Sequence, residues 1–134
     1  MSELYERFER LRRDQPDRPL ILRAATGEVV TAKALASLTL VVRDVLARAG
    51  TAPGQPVVSI AGNTATGIAL FLACRNLGVP LLPIDRSASA AEIDAIATRF
   101  GARLVVSGRT SWEDAPHLQG AATTTGRTRA GRRA

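Results

Sequence analysis

At 134 residues and 46% apolar content, the chain fits one domain of ordinary size with enough hydrophobic side chains for a core, which excludes wholesale disorder. Aromatic residues make up only 4%, so that core must be built from Ala, Val, Leu and Ile, as suits layered helices and strands. The net charge of +6 is lopsided: Arg127, Arg129, Arg132 and Arg133 crowd residues 121–134 without an acid, and the other 14 basic residues face 12 acidic ones, so the body lacks the basic face that nucleic acid demands.

Leu4, Phe8 and Leu11 recur at helical spacing, with Glu6, Arg7, Glu9 and Arg10 elsewhere on the wheel. This predicts a short amphipathic helix, ended by Gln15-Pro16-Asp17-Arg18-Pro19. Leu20-Ile21-Leu22-Arg23 and Glu28-Val29-Val30-Thr31 read as the strands of a hairpin that turns through Ala24-Ala25-Thr26-Gly27. Leu35, Leu38, Val42, Val45, Leu46 and Ala49 then make one apolar stripe. Thr31 can cap that helix, and Gly50 can end it in the left-handed conformation. Pro53-Gly54-Gln55 is a turn, and Pro56–Ala61 a short apolar strand.

From there strands and helices alternate. Gly62-Asn63 leads into a helix over roughly residues 64–77, with Asn63 placed as its N-cap and Gly78 as its stop. The run Ile68–Ala73 is apolar nearly all round, which predicts packing on several sides. Val79–Ile84 is the next strand, and Pro80 and Pro83, unable to donate ladder hydrogen bonds, favour strand ends or an edge. Ser89-Ala90-Ala91-Glu92 has the spacing of a capping box. It opens a helix in which Ile93, Ile96, Ala97 and Phe100 share a face and which Gly101 closes. Arg103–Ser107 is the last strand.

Short connections between these elements require parallel pairing with right-handed crossovers. The fold class is therefore α/β: an N-terminal helix and β-hairpin, then a βαβαβ parallel unit over residues 56–107. Residues 1–107 form the folded part. Residues 108–134, aperiodic and then small, polar and basic, read as a disordered tail.

Several strings, in this order, resemble the start of the AMP-forming acyl-CoA synthetase and adenylation-domain family. Gly27–Leu35 is similar to the family's hairpin strand entering a helix through Thr-x-x-x-Leu. Ala49-Gly50 followed by Pro53-Gly54-Gln55-Pro56-Val57 resembles its Pro-Gly-Asp turn, with Gln55 in place of the acid. Asn63 matches an asparagine that begins the next helix, and Leu77–Asp85 resembles the Gly-Ala-x-x-x-Pro-Leu-Asp strand. Ala91-Glu92-Ile93 and Gly101–Ser107 match the helix and strand after that. The resemblance covers about residues 18–107 and implies the Rossmann-like layer that helps build the family's N-terminal domain.

In that family a carboxylate and ATP give an acyl-adenylate and pyrophosphate, and a thiol then takes the acyl group. The resemblance implies ATP, Mg²⁺ and CoA for the complete enzyme, but none bound by this chain alone. The later motifs lie beyond these residues, and the only lysine, Lys33, matches no catalytic position. The expectation is a truncated or split portion of an AMP-dependent ligase of the acyl-CoA synthetase type, inactive alone, with the remainder on another chain as its partner. The alternative is a non-catalytic interaction module that uses the apolar face such a portion exposes.

Thr123-Thr124-Thr125-Gly126-Arg127-Thr128-Arg129 resembles the latter part of the family's Ser-Gly-Thr-Thr-Gly-x-Pro-Lys phosphate loop. Thr123, Thr128 and Arg129 stand where glycine, proline and lysine belong. No strand leads into it, and coincidence in a low-complexity tail outweighs a relic loop of Thr123, Thr124, Thr125, Gly126 and Arg129.

Other candidates carry bland readings. Cys74, in the most apolar helix, reads as a core thiol, and as the single cysteine it permits no internal disulfide. His117, beside Glu113 and Asp114, lacks metal-ligand spacing, and Trp112 reads as packing at the end of the sheet. Asp85 and Asp94 fall on different elements, and Gly62-Asn63, without Gly-x-Gly-x-x-Gly, reads as a structural turn. No catalytic or metal-binding residue is assigned. The charged N-terminus is unlike a secretory signal, and Ile68–Cys74 is far shorter than the roughly 20 residues of a membrane span. These features point to the cytoplasm, with no membrane and no specific nucleic-acid partner.

Overall fold

A computed structural model describes residues 2–106; Ser107 and the predicted tail lie outside the described residues. Helix α1 (Glu3–Asp14) starts where the Ser2 hydroxyl accepts from the Tyr5 amide at 3.3 Å. Glu3 and Glu6 in its first turn and Arg12 and Arg13 in its last complement the helix dipole. The buried side chains are Tyr5 and Phe8, with ring centroids 6.2 Å apart in an edge-on arrangement, while Leu4 is left 44% exposed. This corrects the predicted stripe. Tyr5 offers a large apolar ring for burial, so the inward face centres between Tyr5 and Phe8 rather than on Leu4.

Strands β1 (Pro19–Leu22) and β2 (Val29–Thr31) form the predicted antiparallel hairpin, pairing Ile21 with Val30 and Leu22 with Val29. Val30 is buried, and Leu22 and Val29 stand exposed side by side. Helix α2 (Ala32–Arg48) follows at once, with the Thr31 hydroxyl accepting from the Ala34 amide at 3.2 Å. Leu35, Leu38, Val42 and Leu46 are buried as the stripe predicts, and Gly50, at φ 78°, turns the chain out of the helix.

Strand β3 (Val57–Ser59), helix α3 (Ala65–Leu77), strand β4 (Leu81–Pro83), helix α4 (Ala90–Phe100) and strand β5 (Leu104–Val106) complete the described chain. The sheet order is β4-β3-β5, all parallel, so β4 with its prolines lies at an edge as predicted. Because side chains alternate across a strand, Leu81, Val57 and Leu104 share one face, and Leu82, Val58 and Val105 the other. The first row joins the main core with Tyr5, Phe8, Val30 and the buried faces of α2 and α3, whereas no residue of α4 belongs to that core. Helix α4 therefore covers the opposite face, as two right-handed crossovers in opposite directions require.

Both halves of the predicted capping box form, Glu92 N–H to Ser89 Oγ and Ser89 N–H to Glu92 Oε2, each at 3.1 Å. The face predicted for α4 is only partly covered: Ala97 is buried, Ile93 and Ile96 half-buried, and Phe100 52% exposed. Likewise α3 does not pack on all sides, since α2 and the sheet cover one side and leave Ile68 and Phe71 exposed.

Candidate functional site

In open parallel sheets ligands gather at the carboxyl ends of the strands, where loops and helix N-termini converge. Here that edge holds the turn Ile60–Thr64 between β3 and α3 and the turn Ile84–Ser87 after β4. The ladder carries the two turns side by side: Ile84 N–H donates to Ser59 O at 2.8 Å, and Ile60 N–H donates to Val106 O at 3.0 Å.

The β3–α3 turn satisfies itself. Ser59 Oγ accepts from the Ala61 amide at 3.3 Å, and Thr64 N–H donates to Gly62 O at 3.0 Å. Thr64 Oγ1 accepts from the Gly67 amide at 3.0 Å and donates to Ala61 O at 3.2 Å. Thr64 is thus the N-cap of α3, not Asn63, which is exposed. The reason is geometric. Gly62 takes φ 67°, which turns the chain so that the next-but-one residue meets the helix amides. Two glycines make the turn tight: a Cβ on Gly62 would come within 2.8 Å of Arg86 Cδ, and a Cβ on Gly67 would collide with the Gly62 carbonyl.

The neighbouring turn is built on Asp85. Its Oδ1 accepts from the Ser87 amide at 2.8 Å and the Ser87 hydroxyl at 2.7 Å, and these two bonds hold the exposed carboxyl below the usual carboxylate range. Arg86 reaches across toward Gly62, so the edge presents one carboxylate and one guanidinium above an otherwise closed turn. Sequence reasoning had no signal for Arg86 over Gly62, because the contact joins residues from different loops. It missed Thr64, although a threonine directly before the apolar helical run is itself a favoured N-cap.

Among the remaining candidates, Cys74 is fully buried in α3, where burial pushes its thiol up to about 11, out of range for a nucleophile. Lys33 is exposed in the first turn of α2, and Asp94 is exposed on α4, away from the Asp85 turn. The hydroxyl of Thr66, in the first turn of α3, is buried with no hydrogen-bond partner among the described residues. No group of three His, Cys, Asp or Glu that could hold a metal occurs among them, and no helix of theirs is long and apolar enough to cross a membrane. Trp112, Glu113, Asp114 and His117, and the string Thr123, Thr124, Thr125, Gly126 and Arg129, lie outside the described residues.

Comparison with known proteins supplies what the site alone does not. The model of the AMP-binding enzyme family matches residues 8–131. No curated protein matches the chain. Among solved structures, the N-terminal domain of FACL13 from Mycobacterium tuberculosis superposes with a TM-score of 0.73 at 22% identity, over 90% of this chain and 30% of that one. The Klebsiella oxytoca NpsA N-terminal subdomain, in complex with 3-hydroxyanthranilyl-AMSN, gives 0.71 at 20%, over 94% and 33%. A Mycobacterium tuberculosis fatty acyl CoA synthetase gives 0.72 at 23%, over 79% and 21%. The chain thus spans a third or less of the length of each of these structures.

Proposed function

The chain belongs to the AMP-binding enzyme family, and from that premise we propose that it forms the opening α/β layer of a ligase that activates a carboxylic acid with ATP as acyl-AMP, of the acyl-CoA synthetase type. The observation that carries this is the family match over residues 8–131 on a fold shared with the N-terminal domain of FACL13. ATP, Mg²⁺ and CoA are the cofactors of the complete enzyme under this reading, and the cytoplasm its compartment. The chain's own share is architectural. Among the described residues, the closed β3–α3 turn, the buried Cys74 thiol and Asp85, bonded to Ser87, provide neither a nucleophile with a base nor an acid pair.

Alone, it does not adenylate. ATP–pyrophosphate exchange tests this directly: none is expected from the chain by itself, and exchange is expected once the remaining part of a ligase domain is supplied. Exchange by the isolated chain would overturn the claim of inactivity, and none from any combination would count against the ligase reading. The string Thr123–Arg129 holds no phosphate in this reading. ATP-dependent protection of residues 121–131 from hydrogen exchange would reverse that.

A second reading, a non-catalytic interaction module, draws on the exposed apolar side chains of Ile68, Phe71, Leu22, Val29 and Phe100. A monodisperse monomer that binds little apolar dye would sink it.

A further inference from the structure

We draw no further inference here: the strongest candidate, the exposed apolar patch that Ile68 and Phe71 form on one face of helix α3, carries nothing because nothing in the structure shows what covers it.

Discussion

The start of α3 hangs on one side chain, that of Thr64, and the cost of removing it can be measured. Thr64→Ala removes an acceptor for the Gly67 amide and a donor for the Ala61 carbonyl, at 3.0 and 3.2 Å. Loss of an N-cap side chain typically costs about 1 kcal/mol. Leaving the carbonyl of the buried Ala61 without its partner adds about 1 kcal/mol more. A total of about 2 kcal/mol corresponds to a drop of roughly 10 °C in Tm for a folded unit of this size. Asn63→Ala, by contrast, removes an exposed side chain that caps nothing and should stay within about 0.5 kcal/mol of the parent. Thr64→Ser keeps both hydrogen bonds and should recover most of the loss. Urea unfolding followed by far-ultraviolet circular dichroism gives all three numbers. If Asn63→Ala costs as much as Thr64→Ala, Thr64 does not cap α3 and Asn63 does.

Three further outcomes follow from buried groups. The Cys74 thiol rises from 9.0 to about 11 in the folded state, so the unfolded chain ionises first; stability holds below pH 9 and falls by about 2–3 kcal/mol between pH 9 and 11, a loss that Cys74→Ala should largely remove in pH-dependent unfolding, leaving the share of Tyr5, whose hydroxyl burial also holds up. Gly67→Ala drives a Cβ into the Gly62 carbonyl and should cost more than 2 kcal/mol (order of magnitude), whereas Gly78→Ala, left-handed at φ 69° but in open space, should cost about 1 kcal/mol; equal losses in thermal melts would refute the close approach. Thr66→Val removes a hydroxyl that is 1% exposed and without a partner among the described residues, so the isolated chain should be neutral to about 1 kcal/mol more stable, and a loss beyond 1 kcal/mol would show that the hydroxyl is satisfied.

What could be read from the sequence was the chemistry that acts within a few residues. Thr31 capping α2, the Ser89–Glu92 box, and Gly50, Gly78 and Gly101 past their helices are each decided by neighbours in the chain, and the structure has all of them. The prolines of β4 announced an edge for the same reason. The misreadings share a different cause. Asn63 and Thr64 are both able to cap, and only the φ of Gly62 and the Ala61 carbonyl choose between them. Leu4 and Phe100 fit helical stripes, but a stripe predicts only that a face can be buried; whether anything lies opposite is a property of the whole assembly. The candidate site was legible only as a turn: its contact between Arg86 and Gly62 joins two loops whose adjacency exists once β3 and β4 pair.

The exposed Phe100 ring and the outer edge of β5, which pairs with no strand among the described residues, are connected by handedness. Helix α4 crosses from β4 over β3 to β5 on the face opposite α2 and α3. That face is thinly covered, with one buried residue from α4 against half-buried Leu82 and Val105. A strand added beyond β5 through a connection running in the same direction must, by the right-handed rule, carry its crossover helix on the side of α4. Such a helix would lie beside α4 and over the Val105 row, where its apolar stripe could bury Val105 and the ring of Phe100. The same step that covers the outer edge of β5 would therefore close the weaker face of the sheet. Ile68 and Phe71 on α3, on the opposite side, would need a second contact of their own. A strand added at β5 should thus protect Phe100 and leave Phe71 exposed, a division that side-chain labelling of the chain alone and within a complete ligase domain would resolve residue by residue.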